Sequence, residues 1–132
     1  MKLEHIGIAV KDIEQSNELF AALFDAPHYK IESVESEGVK TSFFQVGASK
    51  IELLEATSPD SPIAKFIEKK GEGIHHMAFE VEDIDAEIKR LGERGFKLIH
   101  TEAKAGADNK RIAFLQPKST NGVLIELCQD KG

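Results

Sequence analysis

The sequence predicts an α+β fold made of two copies of one βαβββ module, eight strands in all. Three observations carry that prediction. His5-Ile-Gly-Ile-Ala-Val10-Lys-Asp12-Ile13-Glu14 and His76-Met-Ala-Phe-Glu-Val81-Glu-Asp83-Ile84-Asp85 share one pattern: a histidine, a short apolar strand, then Asp-Ile-acid opening a helical segment. Each copy closes on an apolar strand carrying one glutamate, Lys50-Ile-Glu52-Leu-Leu and Val123-Leu-Ile-Glu126-Leu. The interval from histidine to glutamate is nearly equal, 47 residues (52 − 5) in the first copy and 50 (126 − 76) in the second. A duplicated module can bring these four side chains together at a pseudo-twofold axis. Two imidazoles and two carboxylates around one point form a donor set for a divalent metal.

The elements follow in order. Residues 3–10 alternate as a strand, with Ile6, Ile8 and Val10 on one face and His5, Gly7 and Ala9 on the other. The histidine face carries only small neighbours, which leaves room for a ligand. Asp12 is an N-cap for a helix over 13–24, with Ile13, Leu19, Phe20, Leu23 and Phe24 available for its buried face. Strands are expected over 28–35, 39–47 and 49–55, turning near Glu37-Gly38 and Gly47-Ala48. Ser61 as N-cap, Pro62 at the first helical position and Gly71 as the stop define a short connecting helix over 61–71. The second copy repeats the plan. A strand covers 76–81, with His76 and Ala78 on one face. A helix covers 84–94, capped by Asp83, carrying Ile84, Ile88 and Leu91 on one side and ended by Gly95. Strands over 96–102, 110–116 and 122–128 complete it, broken by the turn-forming stretches at 105–109 and 117–122. The expected organisation is one domain over 1–132, with modules at about 1–56 and 74–132 joined by the helix.

Composition narrows the function. A chain of 132 residues is long enough to bury a real core. The net charge of −6 and the absence of an Arg-rich stripe disfavour nucleic acid as a partner. The lone Cys128 cannot form an internal disulfide, which fits a reducing compartment. Met1-Lys-Leu-Glu-His runs straight into a strand without a signal-peptide pattern. No apolar run approaches the ~20 residues that a membrane span needs. A cytoplasmic location and no membrane partner are therefore expected.

The paired βαβββ plan, with candidate ligands on the first and last strand of each module, resembles the vicinal oxygen chelate superfamily. Within it, two long stretches resemble the methylmalonyl-CoA epimerase family: the connecting helix with its Gly73-Ile-His-His-Met exit, and Ala105-Gly-Ala-Asp-Asn-Lys-Arg-Ile-Ala-Phe-Leu-Gln-Pro-Lys followed by Gly122-Val-Leu-Ile-Glu-Leu. The resemblance covers nearly the whole chain. It implies a cupped eight-stranded mixed sheet around a metal site and one divalent metal ion per chain. Co2+ is the leading expectation, with Mn2+, Ni2+ or Zn2+ also fitting. The ligands it implies are His5, Glu52, His76 and Glu126. It further implies interconversion of the (2R) and (2S) epimers of methylmalonyl-CoA; removal of the α-proton leaves an enolate, and Glu126 and Glu52, related by the repeat, are expected to act in turn as its acid–base groups, Glu126 foremost. An acyl-CoA substrate and a homodimer are expected with it. Some members of the resembling family use an acidic base on a strand of the first module. The matching position here is Thr41, which cannot serve in that role.

Other polar residues have simpler readings. His75 is adjacent to His76 and points to the opposite face of the strand, so it is not expected to be a ligand. His28 and His100 have no partner at the repeat-equivalent position and read as surface or packing residues. Glu55 and Glu80 also lack an equivalent glutamate, and a solvated or rim role is expected for both. Cys128 shares the parity of Glu126 and can line the cup, with no Cys/His motif to activate it. Lys104, Lys110, Arg111 and Lys118 lie on or beside two loops. They read either as solvated surface or as a patch for the phosphates of a coenzyme A substrate, which an acidic protein would need locally. The rival functions on this scaffold are a lactoylglutathione lyase-like isomerase, an extradiol dioxygenase and a non-catalytic drug-sequestering resistance protein. The connecting segment counts against the first, the fourth ligand Glu52 against the second, and the intact His/Glu set against the third.

Overall fold

The computed structural model describes residues 1–131. The chain divides into two compact units, residues 5–75 and residues 1–4 together with 76 onward.

In the unit of residues 5–75 the strands run in the order β2-β3-β4-β1, with β1 at Lys2–Ala9, β2 at Lys30–Val34, β3 at Val39–Val46 and β4 at Ser49–Ala56. The β2, β3 and β4 strands pair antiparallel, and β1 runs parallel to β4. A parallel return needs a crossover, and helix α1 (Ile13–Phe24) begins it directly after β1. The Asp12 carboxylate accepts from the Gln15 N–H at 3.1 Å, as an N-cap does. Phe20 and Phe24 of α1 pack on Phe44, over a core of Val10, Ile13, Phe44 and Leu53. Leu19 and Leu23 do not join that face; they are 66% and 68% exposed. The packing stripe runs instead through Ile13, Asn17, Phe20, Ala21 and Phe24, a four-three-one-three step that a 3.6-residue period produces. Asn17 belongs to it because its side-chain oxygen accepts the buried Ser42 hydroxyl at 2.5 Å. The opposite face of the sheet is covered at one end by helix α2 (Pro62–Lys70), where Ile63, Phe66 and Ile67 meet Ala9, Val39, Leu54 and Ala56.

In the second unit the order is β5-β8-β7-β6. Strand β5 (Gly73–Glu80) is parallel to β8 (Ile125–Asp130), and β7 (Lys110–Leu115) is antiparallel to both β8 and the short β6 (Lys104–Ala105). Helix α3 (Ile84–Glu93) starts at Asp83, whose carboxylate accepts from the Ala86 N–H at 3.1 Å. Ile84 and Leu91 pack with Val81, Ala113, Leu115 and Leu127. The strand expected over 96–102 does not form. Phe96 and Leu98 still face the core, and Leu98 makes a single bridge to Leu115. The next ladder groups are taken elsewhere: Gln116 Nε2 donates to the Leu98 carbonyl at 3.2 Å, and the Lys97 N–H donates to Ser119 Oγ at 3.0 Å. The pairing with β7 resumes only at Lys104. Strand β8 likewise begins later than position 122, because Pro117–Thr120 forms a 3-10 turn and Asn121 is left-handed.

Candidate active site

Each unit builds the same buried His/Glu contact by the same register. In the first, the parallel pairing of β1 with β4 places Gly7 level with Glu52. Glycine leaves the carboxylate space, and His5, two residues earlier on the same face, reaches Glu52 Oε2 with Nδ1 at 3.1 Å. In the second, β5 and β8 place Ala78 level with Glu126, and His76 Nε2 reaches Glu126 Oε1 at 3.0 Å. All four residues are buried, at 5 to 6% exposure. The His76 ring is held edge-on by Phe114, the cross-strand partner of Glu126, with ring centroids 5.8 Å apart.

These donor pairs suit a metal ion. A buried carboxylate costs free energy unless it is paired or bound to a cation. Two neighbouring ligands at right angles, each ~2.1 Å from one ion, sit ~3.0 Å apart, close to the separations observed in both pairs. Imidazole with carboxylate is the mixed donor set used by borderline first-row divalent ions. Each unit therefore holds a buried His/Glu group that could chelate a metal.

The other candidate residues divide sharply. His75 packs on Phe66 with centroids 5.0 Å apart, and His28 packs on Phe44 at 6.0 Å. His100 is exposed. Glu80 pairs with Lys2 at 3.5 Å on the rim. Cys128 is fully buried with Ala78 and Ile112, and burial pushes its thiol far above the ordinary range, the Glu126 charge adding to the effect. It is held neutral and is not a nucleophile. That packing is tight: a side-chain carbon on Gly106 would meet Ile112 at 2.8 Å.

One reading needs correction. Glu55 is not merely solvated; its carboxylate accepts the Ile13 N–H at 2.9 Å and closes the start of α1. Gln129, three residues after Glu126 as Glu55 is three after Glu52, accepts the Ile84 N–H at 2.9 Å. The repeat therefore does supply Glu55 with an equivalent, in an amide. The four basic residues have different surroundings. Lys110 and Arg111 point to opposite faces of β7. Lys110 is buried and pairs with Asp130 at 2.5 Å and Glu4 at 3.8 Å. Arg111 makes a two-pronged contact with Asp85 on α3, at 3.1 and 3.0 Å. That hydrogen bond lowers the Asp85 carboxyl below its ordinary range and raises the guanidinium. Lys104 is half-buried on β6 and Lys118 is exposed on the 3-10 turn.

Comparison with known proteins gives this geometry a family. The profile of the Glyoxalase/Bleomycin resistance protein/Dioxygenase superfamily matches residues 4–114. The chain belongs to that superfamily. An ethylmalonyl-CoA/methylmalonyl-CoA epimerase of Cereibacter sphaeroides is 40% identical, with 97% of each chain covered. The human mitochondrial methylmalonyl-CoA epimerase is 36% identical over 97% of this chain and 73% of its own. Among solved structures, a variant of the Streptomyces coelicolor methylmalonyl-CoA epimerase in complex with 2-nitronate-propionyl-CoA matches with a TM-score of 0.95. It is 34% identical and covers 100% of this chain and 96% of that one. The fold is thus the superfamily's own, and the relatives are isomerases acting on acyl-CoA thioesters. Among the described residues, no helix is long and apolar enough to cross a membrane.

Proposed function

We propose that this protein epimerises methylmalonyl-CoA, using one divalent metal held by His5, Glu52, His76 and Glu126. The observation that carries the reading is the duplicated buried His/Glu contact, built by the same register in both units. The epimerase relatives support it over nearly the full chain.

The chemistry follows from the substrate. The hydrogen between a carboxylate and a thioester is weakly acidic, and its removal leaves negative charge on the thioester oxygen. A bound divalent metal would supply Lewis-acid stabilisation of that charge. The buried pairs hold the ligand side chains in place before substrate arrives, so little reorganisation is needed in the reaction. Phe114 fixes the His76 ring, and the packed Ala78, Ile112 and Cys128 beside it exclude water. Glu126 takes the proton from one face of the α-carbon. Epimerisation needs a second group to return a proton to the other face. Glu52 is the repeat-equivalent candidate for it, in the same kind of contact with its histidine as Glu126; a carboxylate outside the four ligands is the other way to serve the second face. Of the four basic residues, Lys104 and Lys118 keep the assignment to the phosphates of the coenzyme A tail. Lys110 and Arg111 are engaged within the protein.

The direct test is His76→Ala. Loss of the metal measured by elemental analysis, with epimerisation down at least ~100-fold and an unchanged circular dichroism spectrum, is expected. Full metal occupancy with normal turnover would remove His76 from the ligand set. A wild-type protein that converts the methylglyoxal–glutathione hemithioacetal and leaves methylmalonyl-CoA untouched would favour the lyase reading instead.

A further inference from the structure

The reaction needs a second proton carrier, and Thr41 has no usable acidity at the position where an acid is expected. The strand register supplies one. On the four-stranded sheet of residues 5–75, the His5/Glu52 contact marks one face. Antiparallel pairing carries that face outward in rows. Glu52 is level with Phe43, which is level with Lys30; Leu54 is level with Thr41, which is level with Glu32. Alternation along each strand means that Lys30, Glu32, Thr41, Phe43, Glu52 and His5 share the face. Read through all four strands from His5 on, the carboxylates on it are Glu52 and Glu32. Glu55 lies on the opposite face, where it caps α1.

We propose that Glu32 is the second acid–base group of the epimerase, the proton carrier for the face of the α-carbon that Glu126 does not serve. The assignment rests on the epimerase reading above. Three features of the site support it. Two strand spacings and two residues separate Glu32 from Glu52, about 12 Å between α-carbons on a flat sheet, and both side chains point to the same side. Both carboxylates can then address a group bound over that face of the sheet. Thr41, level with Glu32 on the next strand, carries no acid, and Glu32 is the carboxylate beside it on the same face. Lys30, two residues away on the same face, lies 3.5 Å from Glu32 Oε1 and 4.5 Å from the centre of the Phe43 ring. That ion pair lies on the same face as the Phe43–Glu52 row.

The step balances without a co-reactant. One carboxylate takes the α-hydrogen as a proton, and the C–H electron pair passes into the carbonyl to give the enolate. The other group, a carboxylic acid, gives its proton to the opposite face of the α-carbon, and the carbonyl reforms. Glu126 and Glu32 exchange these roles between the two directions, and solvent restores the starting protonation.

The test uses the full-length protein loaded with metal, with pure (2R)- or (2S)-methylmalonyl-CoA in deuterated water. Glu32→Gln keeps the shape and removes the acid–base function. The expected result is unchanged metal content and epimerisation slowed at least ~100-fold in both directions. Deuterium should still enter the α-position of one epimer, the one whose hydrogen faces Glu126. A role confined to the Lys30 ion pair would not produce that asymmetry. Lys30→Met, which removes the partner and keeps the carboxylate, should retain most of the turnover. Glu32→Gln turning over within about threefold of wild type in both directions would overturn the assignment. So would a Lys30→Met variant as impaired as Glu32→Gln. Wild-type protein that leaves both epimers untouched would overturn the epimerase reading, and this assignment with it.

Discussion

Lys110 and Arg111 are neighbours in sequence with opposite surroundings, and the contrast shows what one strand position decides. Lys110 points into the second unit, where its ammonium is 8% exposed beside an equally buried Glu4 and reaches the surface only through Asp130. Arg111 points to α3 and meets an exposed Asp85. Sequence reading treats the two alike, as solvated surface or as phosphate contacts, because charge is visible in a sequence and burial of a charge is not. Removing one partner of a buried ion pair leaves the other charge without compensation, at a cost of about 3 kcal/mol or more. Lys110→Met should therefore destabilise the protein by about that much in urea unfolding, and the double variant Lys110→Met/Glu4→Gln should recover part of the loss. A Lys110→Met protein as stable as wild type would mean that the buried pair is not a pair in solution.

At the scale of elements, helices were more legible than strands. Asp12, Ser61 and Asp83 cap the starts of α1, α2 and α3, and Gly71 caps the end of α2. The segment over 96–102 was misread because an apolar Phe-x-Leu-x pattern looks like a strand, whatever side chains take its backbone groups. Here Gln116 and Ser119 take them, from more than fifteen residues away. The capping acceptors Glu55 and Gln129 were missed for a similar reason: each closes a helix 42 or 45 residues distant in sequence. Their positions, three residues after Glu52 and Glu126, were the available signal. Each closes the first N–H of its helix, so Glu55→Ala and Gln129→Ala should each cost about 1 kcal/mol in thermal or urea unfolding. A null effect in both would show that water replaces them without loss.

Across the whole molecule, the duplication made the fold readable from sequence and picked out the two His/Glu pairs that lie in contact, because a repeat converts two weak motifs into one constrained pattern. The substrate tail was less readable. A protein of net charge −6 must hold an anionic coenzyme A ester through local cations. Neutralising Lys104 and Lys118 together should raise KM several-fold while kcat stays near wild type, because phosphate contacts persist from the bound state into the transition state. Salt should weaken binding to wild type more than to the double variant. An unchanged KM would return both lysines to the solvated surface. The central claim is metal-assisted proton transfer at the α-carbon of methylmalonyl-CoA, and α-proton exchange in deuterated water measures it most directly. Metal-loaded protein given (2R)-methylmalonyl-CoA should produce the (2S) epimer with deuterium at the α-carbon, and chelation should stop both exchange and epimerisation. Epimerisation and exchange that continue at full rate in metal-free protein, or no exchange at all in the metal-loaded protein, would contradict the account.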